Sequence, residues 1–360
     1  MVTKIKSPVF LLCSERSGSN LIREILGAHS EIASPMPIHL LGQIGNSLYR
    51  YGDLTYDKNW KMLVKHIVLL IKYQIGKLDV SISEEELLKN VKSRSFKSIF
   101  EYIYLKTINA NNKSRLFLKE NQNYNNIGFI LENFPDAKFI VQVRDPRDMI
   151  LSMKKSPTYD PDFFQAIKLW KQDQTETLKI KYQINNNRVH IHRYEDLLES
   201  PVDTLQSICN FLDINFENSL LEFNKTENAN KSAKLAASWQ NLNKGIIKNN
   251  KQKYKKELTK TEIKITEHNL FDLMQFYGYN PDFDKFGTKT KFLALLGKSD
   301  LMKVLGKRKF IKLLYPLIGV SNNKMIEVNT EELERRKKYK AIVKSMKSET
   351  RKLVSSNLSV

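Results

Sequence analysis

Residues 9–26 restrict the possible folds more than any other stretch of the chain. Val9-Phe10-Leu11-Leu12-Cys13 is a short apolar run of the kind that forms a buried strand. Leu21, Ile22, Ile25 and Leu26 recur at helical spacing and predict a helix with one apolar stripe. Between them lies a polar loop, Ser14 to Asn20, with one glycine and no proline. Such a loop ends at a helix N-terminus, where unpaired backbone N–H groups meet the positive end of the helix dipole. An anion is the natural occupant. Arg16 adds charge, and Ser17 and Ser19 add hydroxyl donors. An ordinary strand–turn–helix capped by serine has the same local pattern, so the rest of the chain must decide.

The alternation continues. His29 to Ser34 reads as a turn into a short second strand, and the prolines at 35 and 37 rule out helix before His39. Helices are predicted over about 57–76 and 84–111, followed by a strand at Leu116–Lys119. A helix over 125–133 ends before Pro135, and 138–143 reads as a central strand. Asp145 is placed to cap the next helix, with Pro146 in its first turn. A long helix over 161–184 leads to a strand at 189–192 and then to Arg193-Tyr194-Glu195-Asp196. This order predicts an α/β fold: a mainly parallel central sheet flanked by helices, with right-handed crossovers. Ligands of such sheets bind beyond the carboxyl ends of the strands. The Arg16 loop, Lys119, Arg144 and Tyr194 all follow predicted strand ends, so four distant segments should converge on one crevice.

With 360 residues, 41% of them hydrophobic, the chain can bury a large core. Residues 1–285 are expected to form one domain, closed by a helix over 257–279, with a linker at 282–290. Residues 286–360 are expected to form a basic helical C-terminal extension with a charged helix over 331–353. The net charge is +20, and residues 291–360 hold 17 Lys and Arg against 6 Asp and Glu, an excess of 11. Most of the basicity is therefore expected away from the crevice. Such charge suits phosphorylated nucleotides, acidic substrates, anionic membranes or nucleic acid. In 292–319, apolar residues mix with Lys303, Lys307, Arg308, Lys309 and Lys312, the pattern of a segment lying on a membrane or packed on the protein's own sheet or a dimer partner. Cys13 and Cys209 sit in apolar runs and read as core thiols of a reducing compartment. The N-terminus has no apolar signal segment, and the run Met62–Ile71 is too short and too interrupted to span a bilayer. A cytoplasmic protein is expected, with peripheral contact at the inner membrane surface as a further reading of the tail.

Arg16-Ser17-Gly18-Ser19 is not a Walker A loop, which requires Gly-Lys-Ser/Thr. It resembles the 5′-phosphosulfate loop of the sulfotransferases, in which Lys or Arg precedes Ser-Gly-Thr/Ser. A second motif agrees with the family in order, strand context and spacing. Arg144 ends the central strand that follows Phe134-Pro135-Asp136-Ala137-Lys138, and Ser152 lies about two turns along the next helix. Sulfotransferases use residues so placed for the 3′-phosphate of 3′-phosphoadenosine 5′-phosphosulfate (PAPS). Arg193-Tyr194-Glu195-Asp196-Leu197, with Pro201, Ile208 and Phe211-Leu212 after it, looks like the family's Tyr-Glu-Asp-Leu element. Ser238-Trp239-Gln240-Asn241 and Lys253-Tyr254 are similar to a late segment that lies over the nucleotide in relatives. The resemblance covers about residues 7–280. It is closer to the carbohydrate and tyrosylprotein sulfotransferases, with Arg in the loop, than to the phenol enzymes with Lys.

The resemblance implies a P-loop-like nucleotide-binding fold and an enzyme that transfers a sulfuryl group from PAPS to a hydroxyl or amine, with no metal. It implies that Arg16, Ser17, Gly18, Ser19 and Asn20 hold the 5′-phosphosulfate, Arg144 and Ser152 the 3′-phosphate, and that Tyr194 and Lys253 line the nucleotide site. Asn20 departs from the pattern, standing where relatives carry a second hydroxyl residue. Catalysis would rest on Arg16, whose guanidinium keeps its proton and is confined to charge stabilisation, on Lys119 at the third strand end, and on a base. Tyrosylprotein sulfotransferases place a Glu after the second strand. His39 is the only titratable side chain in the corresponding segment Ser34-Pro35-Met36-Pro37-Ile38-His39. An imidazole near pKa 6.5 suits deprotonation of a hydroxyl, and Glu31 and Glu120 are the reserves. The acceptor, a glycan, lipid or small molecule, would be bound by the helices at 40–112 and 155–185.

Two other readings compete. A P-loop kinase-like phosphotransferase keeps the fold, but the Walker lysine and a clear Mg²⁺ carboxylate are missing. A non-enzymatic basic protein for membranes or nucleic acid would be driven by the tail, although no specific nucleic-acid partner is expected. His190 and His192 alternate on a strand with no Cys or acidic partner at ligand spacing, so no metal site is expected.

Overall fold

The computed structural model describes residues 1–156, 162–283, 285–298, 315–321 and 326–357. Its centre is a sheet of five parallel strands in the order β2-β3-β1-β4-β5. These are β1 (Val9–Cys13), β2 (Ile32–Ala33), β3 (Arg115–Leu118), β4 (Lys138–Val143) and β5 (Val189–Arg193). β1 is the middle strand: Val9 pairs with Phe117 on one side and with Lys138 on the other. The chain leaves β1 toward β2 and β3 on one flank, then crosses to β4 and β5 on the other. The direction reverses between β1 and β4, and the loops after those strands flank the crevice such a reversal creates.

Both faces of the sheet are covered, which is why β1 reads as a continuous apolar run. Val9, Leu11 and Cys13 point into one apolar layer, with Phe117, Ile140 and Cys209, while Phe10 and Leu12 point into the other. α1 (Ser19–Gly27) precedes β2. Between β2 and β3 come α2 (Leu40–Gln43), α3 (Asp57–Tyr73), α4 (Glu84–Asn90) and α5 (Phe96–Ala110). α6 (Ile127–Asn133) leads to β4, and α7 (Pro146–Lys154) and α8 (Phe163–Gln183) follow it. After β5 the described elements are helical: α9 (Tyr194–Glu199), α10 (Pro201–Leu212), α11 (Glu227–Leu235), α12 (Tyr254–Glu257), α13 (Lys260–Phe276), α14 (Thr288–Lys298) and α15 (Thr330–Asn357).

The expected helix at 84–111 is two helices. Ser83 Oγ accepts the Glu86 N–H to start α4, and Ser95 Oγ accepts the Ser98 N–H to start α5. The extended backbone at Val91 separates them. α7 begins as its sequence predicts, with Asp145 accepting the Arg147 N–H and Pro146 at the first helical position. Asp282, expected in a linker, is tied down: its N–H donates to Glu267 (2.8 Å) and its carboxylate lies 3.5 Å from Arg147.

The charged C-terminal helix is docked on the rest of the molecule. Met346 and Leu353 of α15 are buried. Glu349 accepts from Lys65 at 3.0 Å and lies 3.4 Å from His66 Nε2, while Tyr339 Oη accepts from Gln74 Nε2 at 3.2 Å. The lysines and arginine at 303–312 lie outside the described residues, and so does the membrane reading placed on them. Among the described residues no helix is long and apolar enough to cross a membrane.

Candidate functional site

The turn from β1 into α1 is made by two left-handed residues, Arg16 (φ 65°) and Gly18 (φ 82°). Position 18 needs glycine for two reasons: its φ disfavours a side chain, and a Cβ there would lie 2.4 Å from Tyr194 Cε2. No side chain caps α1, an arrangement that leaves first-turn N–H groups for a ligand. The loop is held from below. Gln142 of β4 donates from Nε2 to the Ser17 carbonyl (2.6 Å), and its Oε1 lies 3.0 Å from His192 Nε2. Arg144 donates from Nη1 to the Arg16 carbonyl (2.8 Å) and from Nη2 to the Asn250 carbonyl (3.3 Å). Its guanidinium lies 4.7 Å over the Tyr194 ring, and Tyr194 Oη accepts from Asn250 Nδ2 (2.8 Å).

Two cavities open at this end of the sheet. The larger, of about 400 Å³, is lined by Arg16, Gly18, Ser19 and Asn20 together with Arg144, Ser152, Tyr194 and Lys253. The smaller, of about 130 Å³, is lined by His39 and Lys119 with Glu15 and Arg336. Arg16, Ser19, Asn20, Ser238 and Trp239 line both. The structure thus gathers every site residue expected from sequence around these two spaces except Ser17, which is buried under the loop. Arg16 reaches α7, where Nε donates to Ser152 Oγ at 3.1 Å. Ser17 Oγ and Arg144 Nε are buried with no hydrogen-bond partner among the described residues, so donor capacity is left at the loop and at Arg144 for a bound anion.

Arg144 and Arg147 divide their motif. Arg147 is structural: it pairs with Asp145 and Glu267 and lies 4.2 Å over the Tyr254 ring. Asp148 lines the larger cavity but is committed to the scaffold, accepting the N–H groups of Gln252 (2.6 Å) and Tyr254 (2.9 Å).

On the other side, burial, helped by nearby Lys119, pushes the His39 imidazole down to about 3, well below the value near 6.5 expected from sequence. His39 is therefore neutral at ordinary pH. Lys119 donates to Asn121 Oδ1 (2.9 Å), and burial lowers its pKa. The reserve carboxylates lie elsewhere. Glu120 accepts the N–H groups of Leu40 (2.9 Å) and Leu41 (3.0 Å), fixing α2 just after His39, and burial pushes it up to about 7. Glu31 is exposed at the sheet edge, lines neither cavity, and its carbonyl accepts the Arg115 N–H.

Three participants escaped sequence reasoning. Glu15 lines the smaller cavity and accepts from Asn121 Nδ2 (2.6 Å). Gln142 supports the loop, and its signal was a lone polar residue within the apolar run of β4. Arg336 is a correction, because the basic C-terminal extension was expected away from the crevice, yet α15 docks on α3 and brings this arginine to it. The acceptor side was also expected to draw on 155–185. The residues lining the smaller cavity come from 15–20, 37–39, 74–76, 119–121, 238–239 and Arg336, while Lys155 lines the larger one. Among the described residues no group of three or more His, Cys, Asp or Glu could hold a metal ion.

A sequence model of the sulfotransferase family matches residues 8–218, more than half of the chain. The chain belongs to the sulfotransferase family. Relatives include an uncharacterized protein of Aquifex aeolicus (strain VF5), 25% identical over 311 residues, which cover 81% of this chain and 36% of that one. A putative protein-tyrosine sulfotransferase of Caenorhabditis elegans is 32% identical over 93 residues, 24% of this chain and 36% of its own length. This sulfotransferase-family chain therefore spans little more than a third of the length of those curated relatives. Its fold is shared with the sulfotransferase domain from the curacin biosynthetic pathway (TM-score 0.54, 23% identity, 77% of this chain and 100% of that one). The sulfotransferase domain of the Synechococcus PCC 7002 olefin synthase is equally similar (TM-score 0.53, 20% identity, 78% and 98%). The family match ends at 218, before Trp239, Lys253 and Arg336.

Proposed function

We propose that the chain transfers a sulfuryl group from PAPS to a hydroxyl of an acceptor held in the smaller cavity, with residues 1–285 carrying the donor site. The observation that carries this reading is the shared wall. Arg16, Ser19 and Asn20 line both cavities, with Arg144, Ser152 and Tyr194 on one side and His39 and Lys119 on the other. A volume of about 400 Å³ lies within the usual range for sites that take a molecule of nucleotide size. A helix N-terminus with Arg16, and Arg144 with Ser152, offer two positions for phosphate.

On this reading the acceptor oxygen attacks sulfur, the sulfur–oxygen bond to the 5′-phosphate breaks, and 3′-phosphoadenosine 5′-phosphate (PAP) leaves. The acceptor proton passes to His39, which is neutral and has a lone pair to receive it. At about 3 its basicity is poor, but a polyanionic donor beside it favours the protonated imidazole and raises that value. Arg16 stabilises the charge that develops on the departing phosphate. Glu120 acts at one remove, holding α2 and with it the backbone that carries His39.

Incubation of the full chain with radiolabelled PAPS and a panel of glycans, lipids, phenols and peptides tests the proposal. Labelled product from at least one acceptor, lost in Arg16→Ala, is expected. Absence of labelled product across the panel, together with no binding of PAP, would overturn it.

A further inference from the structure

Arg336 lies on α15, more than a hundred residues beyond the family match, yet it lines the smaller cavity with Arg16, Lys119 and His39. It is held there rather than solvated. Nε donates to Glu332 Oε1 at 2.9 Å, Nη2 bonds the same oxygen, and the side chain is only 13% exposed. Glu332 is fully buried, and its Oε2 accepts the Ala237 N–H at 2.9 Å. Ala237 leads directly into Ser238 and Trp239, the pair that lines both cavities. From the other direction, Tyr339 ties α15 to Gln74, which lines the same small cavity. Arg336 is therefore fixed on both flanks.

On the proposed reading Arg16 and Lys119 already face the transferring group, and Arg336, paired with Glu332 through Nε and Nη2, adds a third cation to the same wall. Among the described residues no hydrogen bond engages Arg336 Nη1. The cavity wall sets Arg16, Lys119 and Arg336 against the single carboxylate of Glu15, beside apolar surface from Pro37, Ile75 and Trp239. Its volume of about 130 Å³ is close to the roughly 150 Å³ that takes one benzene ring, so one ring of an acceptor can enter while the remainder stays outside.

We propose that Arg336 is a specificity-determining residue that pairs with an anionic group on the acceptor, so that this chain acts on hydroxyl compounds already carrying a carboxylate, phosphate or sulfate. The inference rests on the reading of the smaller cavity as the acceptor site. It makes the docked C-terminal helix part of substrate recognition.

The test is calorimetric titration of the PAP-loaded full chain with para-hydroxyphenylacetate and with its neutral isostere, para-hydroxyphenylacetamide. The acid should bind at least about tenfold more tightly, as expected for one charge-assisted contact. Arg336→Gln should remove most of that preference by weakening the acid alone, Arg336→Lys should keep more of it, and PAP affinity should not change. The paired change Glu332→Gln with Arg336→Gln leaves no unpaired buried charge and should give the same result if the single variant folds poorly. Equal affinities in the parent, failure of both probes to bind, or an undiminished preference in Arg336→Gln would overturn the proposal. Absence of PAP binding would instead overturn the sulfotransferase reading. The same probes titrated into the free chain would then still decide whether Arg336 reads an anion.

Discussion

Gly18→Ala is the sharpest probe of how the anion loop is built. An alanine at φ 82° costs about 1–2 kcal/mol from the left-handed backbone alone. Its Cβ would stand 2.4 Å from Cε2 and 2.5 Å from Cδ2 of Tyr194. That ring cannot retreat freely, because the Arg144 guanidinium lies 4.7 Å over it and its hydroxyl is bonded to Asn250. Overpacking of this kind adds about 1–3 kcal/mol, for a total near 2–5. Tyr194→Ala removes the clashing atoms, so in that background Gly18→Ala should cost only its backbone share. Urea unfolding of the four proteins in the double-mutant cycle measures the difference, and a coupling of about 1–3 kcal/mol is expected. Strict additivity, within about 0.5 kcal/mol, would show that the loop does not rest on Tyr194 and would refute the reasoning.

Two further outcomes follow from the acceptor side. His39→Asn keeps polarity but removes the base: transfer to an alcohol should fall by about 10²–10⁴ while PAP affinity holds, and an unchanged chemical rate would make His39 structural. Glu120 has its folded pKa raised from an ordinary 4.5 to about 7, so its contribution to stability is complete below about pH 4.5 and is lost as pH rises through about 7. Glu120→Gln removes that titration. The stability of the variant relative to the parent should improve between pH 5 and 8 by up to roughly 3 kcal/mol, and a difference independent of pH would contradict the assignment.

The parts of the fold legible in sequence are those fixed by local pattern. β1, β4 and α7 announce themselves through apolar runs and a cap, because a strand buried on both faces has few polar positions to blur it. The break between α4 and α5 was missed because the Ser95 cap, within one long amphipathic pattern, looks like a tolerated polar residue. The lining of the larger cavity was legible for the same reason as the strands, since Arg16, Arg144 and Tyr194 each sit just beyond a strand end. The lining of the smaller cavity was legible only in part. Arg336 reaches the cavity only because α15 packs on α3, a contact between segments more than two hundred residues apart that no spacing encodes. Glu120 likewise looked like a candidate base, and only burial against the N–H groups of α2 reveals it as a support.

The most direct test of the central claim is calorimetric titration of the full chain with PAP and with AMP, which differ by the 3′-phosphate. PAP should bind more tightly by roughly 1.5–3 kcal/mol, about ten- to a hundred-fold, as expected for a charge-assisted contact, and Arg144→Ala should erase that advantage by weakening PAP more than AMP. Equal affinity of the parent protein for PAP and AMP would contradict it.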